Sequence, residues 1–262
     1  MLFAVDIGNT STHVAVFDHG VLSLSYRFRT ETFRSADEYA VTLAQLLSLH
    51  GRRLEHVEGA AICCVVPQSL AEICAFFRTY AHCDPFVLDH TVKLPIRLAV
   101  DHPAEVGADR IANAAEAFAR FRAATVVIDF GTATTFDVVD GGGAYRGGVI
   151  TPGITLSAEA LWSHTAKLPR VDVRKPASVV GASTVESIRA GLYYGHLSLI
   201  EGILGRTAQE LGTRPKVLGT GGYAPMFAAE TDWFDAVDEE VTLRGLLRIR
   251  EINAAEEAPF SA

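Results

Sequence analysis

Residues 125–135 read TVVIDFGTATT, and residues 1–10 read MLFAVDIGNT. Each is an apolar run that reaches an Asp, then a Gly two residues later, then small hydroxyl or amide side chains. A short apolar run closed by a turn signal reads as a buried strand. The chain therefore writes the same strand and corner twice, with Asp6 and Asp129 standing 123 positions apart, about half its length. Two more strand patterns follow each corner. Such a duplication predicts two similar α/β lobes, an N-terminal one over 1–120 and a C-terminal one over 121–262, with a cleft between them. Ligands favour lobe interfaces of this kind.

The rest of the chain reads consistently with that division. A helix is expected from about Ser35, whose side chain can cap it, with Tyr39, Leu43, Leu46 and Leu47 on one face. EGAAICCVV reads as a buried strand, and Pro67 opens a helix to about Tyr80. PFVLD reads as another strand, and the Pro-punctuated segment 93–104 as extended or looped. A helix follows Gly107, with Ile111, Ala115 and Phe118 on one face. Pro152 starts a helix ending near His164, and residues 166–180 read as loop. A long helix is expected from about Ser183 to Leu211, then the strand KVLGT breaking at Gly221-Gly222, then a last helix from Val241 to about Glu256.

The 262 residues are 49% hydrophobic and 21% charged, which suits a globular chain with a sizeable core. The net charge of −8 and the lack of any Lys/Arg run speak against a nucleic-acid partner. No apolar stretch is long enough to span a membrane, and Asp6 interrupts the only leader-like segment. Cys63, Cys64, Cys74 and Cys83 form no C-x-x-C pair, so buried reduced thiols and a reducing, cytoplasmic compartment are expected. Trp162 and Trp233 read as packing residues, Arg146, Lys167 and Arg189 as rim charges, and His102 as a loop or capping residue.

The corners carry the chemistry. A turn between strands exposes N–H groups that the ladder does not use, and these can cradle an anion. In Asp6-Ile7-Gly8-Asn9-Thr10, with Ser11, Thr12 and His13 beyond, the carboxylate would repel phosphate unless a hard cation such as Mg²⁺ intervened. A single copy reads as easily as a plain hairpin turn with a solvated Asp. The second copy, Asp129-Phe130-Gly131-Thr132-Ala133-Thr134-Thr135, makes turn chemistry alone a poor account. Thr220-Gly221-Gly222 could let a flat nucleoside base lie on the backbone, or could simply start a helix. P-loop and dinucleotide fingerprints do not occur.

Gly107-Ala108-Asp109-Arg110 is the most pointed short motif. It begins a helix, where free N–H groups and the dipole favour negative charge. Asp109 could take a proton from a substrate hydroxyl. Arg110 offers a planar fork for a carboxylate or phosphate. A first-turn Asp beside a solvated Arg is the plainer alternative.

These motifs together resemble the type III pantothenate kinases, within the acetate-kinase, sugar-kinase, heat-shock and actin superfamily. The resemblance spans nearly the whole chain. It rests on Asp6-Ile-Gly-Asn-Thr, Gly107-Ala-Asp-Arg, Asp129-Phe-Gly-Thr-Ala-Thr-Thr, Gly147-Gly-Val-Ile-Thr-Pro-Gly, Lys167-Leu-Pro and Thr220-Gly-Gly. It implies duplicated actin-like (ribonuclease H-like) lobes and ATP-dependent phosphorylation of pantothenate, the first step toward coenzyme A. It implies Asp109 as base and ATP phosphates held by Asp6, Ile7, Gly8, Asn9, Thr10, Ser11, Thr12 and His13, with Mg²⁺ at Asp6. Thr132 would bind phosphate, Gly221 and Gly222 the nucleotide, and Asp129 a monovalent cation, K⁺ or NH₄⁺. Gly107, Ala108, Asp109, Arg110 and Thr184 would contact pantothenate in a homodimer whose partner chain completes the pocket. Val100 and His102-Pro103 stand where the family often has an aromatic residue and Asn-Pro, and Phe130 where it has a small one. That ring is expected either to pack into its lobe or to narrow the cleft. A nucleotide-binding regulator without kinase activity, and another phosphotransferase or phosphatase of the superfamily, are the alternative readings.

Overall fold

The duplication is explicit in the sheets of the computed structural model, which describes residues 1–257. Along the chain come strands β1 (Leu2–Ile7), β2 (Ser11–Asp18) and β3 (Val21–Arg29), then helix α1 (Ala36–Ser48). Next are β4 (Gly59–Cys64), α2 (Pro67–Tyr80), β5 (Phe86–Val87), β6 (Arg97–Leu98) and α3 (Ala108–Phe121). A second run of three strands follows, β7 (Thr125–Phe130), β8 (Ala133–Val139) and β9 (Ala144–Pro152). The chain continues through α4 (Ile154–Ser163), α5 (Thr184–Leu211), β10 (Lys216–Gly221), α6 (Ala224–Ala228), β11 (Ala236–Val237) and α7 (Val241–Glu257).

One sheet has the order β3-β2-β1-β4-β5 and the other β11-β10-β7-β8-β9-β6. Strand for strand, β9-β8-β7-β10-β11 repeats β3-β2-β1-β4-β5, and β6 is an addition beside β9. The directions repeat as well. β1 and β7 are each flanked by an antiparallel hairpin partner on one side and a parallel strand on the other. A parallel neighbour requires a crossover, and α1 supplies it in the first case and α4 with α5 in the second.

Contacts group the chain into two units. The first comprises Met1–Ile96, Asp101–Glu116 and the chain from Glu240 onward; the second comprises Arg97–Val100 and Ala117–Glu239. The sequence placed the last helix in the second lobe, whereas the structure groups α7 with the first. The reason is packing: α7 lies against β1 and β4. Its Thr242 hydroxyl donates to Asn113 Oδ1 at 2.7 Å, and Arg248 pairs with Glu116 at 2.8 Å, both partners lying on α3.

In the first unit the strand period of two separates two faces. Phe3, Val5 and Ile7 of β1 join Val14 and Val16 of β2 in one core with Tyr39, Leu43 and Leu47 of α1 and Ile73, Phe76 and Phe77 of α2. Asp6 falls on the opposite face. Ser35 caps α1 as expected, exchanging reciprocal hydrogen bonds with Glu38. In the second unit Val126, Ile128 and Phe130 of β7 pack with Leu192, Tyr193, Ile200 and Leu204 of α5 and Phe227 of α6. Phe130 therefore takes the first of its two expected places. It is buried in its own unit and stacks on Phe227 at 5.3 Å between ring centroids. Among the described residues, no helix is long and apolar enough to cross a membrane.

Candidate active site

The first corner is the turn between β1 and β2. Its closing bond runs from the Gly8 N–H to the Ser11 carbonyl at 3.1 Å. Asn9 and Thr10 are exposed at the tip, whereas Ile7 and Thr12 are buried. Thr30, just past β3, ties the turn from behind: its hydroxyl donates to the Gly8 carbonyl at 2.7 Å and stands 3.0 Å from that of Thr12. Its N–H donates to the Thr10 carbonyl at 3.0 Å.

His13 is directly opposite Asp6 in the β1–β2 register. Its ring is engaged on the far side from the tip, with Nε2 at 2.8 Å from Ser25 Oγ and 3.0 Å from Glu240 Oε2, and Nδ1 at 3.2 Å from an Arg27 nitrogen. The guanidinium can only donate, so Nδ1 accepts and Nε2 carries the proton. Burial opposes the charge on Glu240, but hydrogen bonds from His13 and Ser25 outweigh it and hold that carboxyl below its usual range.

Asp6 also lies beside Cys63, its register partner on β4. The Cys63 thiol is fully buried and donates a hydrogen bond to Asp6. Burial first, and then the charges of Asp6 and Asp109, push that thiol well above the usual range. Cys63 thus feels the charges of both Asp6 and Asp109, which 103 positions separate in sequence. All four cysteines are free, Cys63 and Cys74 buried and Cys64 and Cys83 partly so.

Asp109 sits in the first turn of α3. Its Oδ1 accepts from the Arg110 N–H at 2.8 Å. The carboxylate folds back over Gly107, where any side chain would collide with Oδ1. The Gly107 carbonyl accepts from Ile111 N at 3.1 Å and so opens the helix. Burial raises the Asp109 carboxyl above its usual range; the Arg110 N–H and guanidinium pull it back only in part. A half-dry carboxylate of raised basicity, pinned by one oxygen, is a competent proton acceptor.

The second corner is the turn between β7 and β8. Gly131 N donates to the Ala133 carbonyl at 3.1 Å. Gly153, just past β9, donates its N–H to the Thr132 carbonyl at 3.1 Å. It approaches so closely that a Cβ would stand 2.6 Å from the Gly131 carbonyl oxygen and nearer still to that of Thr132. Asp129 pairs in register with Thr220 of β10. Gly221 beside it has φ +83°, and a Cβ there would come within 2.7 Å of the Phe130 carbonyl oxygen and 2.9 Å of Asp129 Oδ1. Both its backbone angle and this crowding require glycine. Gly222 meets nothing within 4 Å on the side where a Cβ would stand.

Within the second unit, Thr184 is the first residue of α5, behind the Ser183 cap. It lines an apolar groove of about 990 Å³ between α4 and α5, with Leu156, Leu161, Leu168 and Ile188. Trp162, expected to pack, is instead about half exposed on α4, its ring 6.0 Å from the Arg170 guanidinium carbon. Trp233 packs as expected against the second core. His102 precedes a single 3-10 turn and accepts from Glu105 N at 3.0 Å. Arg189 is not a loose rim charge, since it pairs with both Asp172 and Glu186.

The donor sets can be tested against the groups expected at them. Among the described residues, no three His, Cys, Asp or Glu side chains are grouped to hold a metal ion. A cation at Asp6 would therefore complete its shell with phosphate oxygens and water, which is how Mg²⁺ binds in phosphoryl-transfer sites. Near Asp129, a Cβ on Gly221 would meet both Asp129 Oδ1 and the Phe130 carbonyl oxygen, hard oxygens of the kind a monovalent cation takes.

Sequence reading missed Thr30, the pairing of Cys63 with Asp6 and the His13–Ser25–Glu240 group. Thr30 ends a strand like any other polar residue, and only the β2–β3 register brings it to the corner. Ser25 and Glu240 lie 215 positions apart.

A duplicated α/β fold with an Asp-Gly corner after each first strand is the fold of the actin-like kinase class. The type III pantothenate kinase family model matches residues 2–206, and the chain belongs to that family. The type III pantothenate kinase of Paramagnetospirillum magneticum is 45% identical over 97% of this chain and 98% of its own. Among solved structures, a protein described as a 2-dehydro-3-deoxygalactonokinase from Sinorhizobium meliloti has a TM-score of 0.59 at 16% identity, covering 100% of this chain and 98% of its own. A protein described as a Baf family transcriptional activator from Campylobacter jejuni also reaches 0.59, at 19% identity over 97% and 99% of the two chains. At such identities these two show the fold alone. The full-length likeness to kinases leaves the regulator reading unfavoured.

Proposed function

We propose that this protein transfers the γ-phosphoryl group of ATP to the primary hydroxyl of pantothenate, giving 4'-phosphopantothenate for coenzyme A synthesis, with Asp109 as the general base. The observation that carries the base assignment is the Asp109 carboxylate itself: held by the Arg110 N–H and raised in basicity by burial. As the hydroxyl attacks, Asp109 takes its proton, and the ADP oxygen leaves with the electron pair of the broken bond. Arg110 would pair with the pantothenate carboxylate, and Gly107 and Ala108 would leave room beside it.

The first corner, Asp6 through Thr12, would hold ATP phosphates, with Mg²⁺ at Asp6 supplying charge neutralisation when bound. His13 would support that corner through Asp6's strand pairing, because its ring is committed to Ser25, Glu240 and Arg27. Thr132 would bind phosphate, Asp129 a K⁺ or NH₄⁺ ion, and Gly222 the nucleotide beside Gly221. Thr184 would touch pantothenate from its groove. The exposed Leu156, Leu161 and Trp162 on α4 offer apolar surface for the second copy of a homodimer. A cytoplasmic location would suit coenzyme A synthesis and four free thiols.

A coupled assay for ADP with purified protein, with and without pantothenate and K⁺, tests the reading. Pantothenate-dependent ADP formation is expected, and its absence sinks the kinase reading. Asp109→Asn is expected to lower turnover by about 10²–10⁴-fold with ATP binding retained. Near-normal turnover in that variant would refute the base. Sedimentation as a 28.2 kDa monomer would contradict the dimer.

A further inference from the structure

The two corners are clamped from the same topological place. Thr30 follows the last residue of β3, and Gly153 follows the last residue of β9. Each donates its N–H to the carbonyl of the corner's final residue, Thr10 at 3.0 Å and Thr132 at 3.1 Å. In the first unit alone the clamp has a side chain. Its hydroxyl has one proton, given to the Gly8 carbonyl at 2.7 Å. The Thr12 hydroxyl, 3.0 Å away, must then donate to Thr30 Oγ1. One residue thus fixes the Gly8 carbonyl, the Thr10 carbonyl and the Thr12 hydroxyl. In a trans peptide the carbonyl and the following N–H point in opposite directions. With the Gly8 carbonyl turned toward Thr30, the Asn9 N–H is turned to the other side, at the exposed tip.

We propose that Thr30 is a positioning residue for ATP: its hydroxyl turns the Gly8–Asn9 peptide so that the carbonyl faces the protein and the N–H faces phosphate. This rests on the reading of the first corner as a phosphate site. Without the hydroxyl, the Gly8 carbonyl loses its anchor, the peptide is free to rotate, and a carbonyl dipole aimed at phosphate would repel it. On that reading the peptide faces ATP and not pantothenate, so the effect should be confined to the nucleotide.

The test compares wild type, Thr30→Val and Thr30→Ser. Val keeps the shape and the backbone clamp but lacks the hydroxyl; Ser keeps the hydroxyl. Calorimetric titration with Mg-ATP and steady-state kinetics are run on all three, with thermal unfolding alongside. Thr30→Val is expected to weaken Mg-ATP binding and raise the KM for ATP about tenfold, which is about 1.4 kcal/mol. Its kcat and its KM for pantothenate should stay within about twofold of wild type, and Thr30→Ser should restore ATP affinity. An unchanged ATP affinity in a folded Thr30→Val protein overturns the proposal, as does an equal loss for both substrates. If the Val variant does not fold, a tenfold loss of ATP affinity in Thr30→Ser overturns it. The binding arm reads Thr30 whether or not pantothenate is the acceptor. Normal ATP binding without pantothenate turnover would therefore count against the proposed substrate, not against Thr30.

Discussion

At the first corner three residues, Gly8 to Thr10, join two antiparallel strands; at the second only Gly131 and Thr132 do so. The clamps behind them differ in the same sense. Thr30 reaches the first corner with a side chain, whereas Gly153 meets the second backbone to backbone. A longer turn with a hydroxyl behind it can expose N–H groups while keeping its carbonyls turned inward. That suits phosphate. The shorter turn is pressed by two glycines, and one of them, Gly221, lies against both Asp129 Oδ1 and the Phe130 carbonyl oxygen, hard oxygens of the kind a cation takes. On the proposed reading, duplication supplied two similar corners, and one residue of turn length and one hydroxyl-bearing clamp separate a phosphate site from a cation site.

The comparison breaks most directly at two glycines, the clamp Gly153 and the corner residue Gly8. Gly153→Ala would push a methyl group into the Gly131 and Thr132 carbonyls and is expected to cost about 3 kcal/mol in urea unfolding. Gly8→Ala meets one carbonyl oxygen, that of Ser11, at 3.2 Å and should cost about 1 kcal/mol. Equal costs would mean that the second corner is no tighter than the first.

The roles separate in a pair of charge removals. Asp6→Asn is expected to raise the Mg²⁺ concentration for half-maximal turnover about tenfold and leave the K⁺ requirement alone, as loss of one close charge contact of roughly 1.4 kcal/mol would. Asp129→Asn should do the reverse by about the same factor. Titrations of each cation at saturating amounts of the other decide the matter. Identical profiles for the two variants would show that the corners share one role.

Most of the architecture was legible in local sequence. Every helix expected from about Ser35, Pro67, Gly107, Pro152, Ser183 and Val241 is present, and all but the last had a cap, a Pro or a Gly at its start. The corners were legible because they repeat. What sequence did not disclose depends on register and crossover. Cys63 reads as one more apolar residue in AAICCVV until the β1–β4 register sets it beside Asp6. The last helix reads as part of the second lobe until its contacts with β1 and β4 return it to the first. Its Glu240 then meets Ser25, from the other end of the chain.

Phe130 and Ile7 hold the same place in the two copies, one before the corner's glycine, and both are buried. Only Phe130 stacks, on Phe227 at 5.3 Å and 19°. Phe130→Ile copies the first unit's residue into the second. It should cost about 1 kcal/mol in unfolding, the value of an aromatic pair, with ATP and cation affinities unchanged. A change in K⁺ requirement would mean that the ring sets the shape of the corner as well as filling the core.

The last contrast is read as a sign. Burial raises the Asp109 carboxyl in the folded protein, whereas the unfolded chain ionises it freely. Between the ordinary carboxylate range and the raised folded value, the native state binds the extra proton. Stability attributable to this group therefore falls as pH rises through that window, and the cost persists above it. Asparagine carries no such cost and can still accept the Arg110 N–H. Asp109→Asn should thus be the more stable protein near neutral pH, with the gap closing on acidification as the wild-type carboxyl takes up its proton. Denaturant unfolding across that range measures it. A gap that stays constant with pH, or that favours Asp109 at neutral pH, would remove the dry environment from the account of the base, and with it the reason this carboxylate should differ from Asp6.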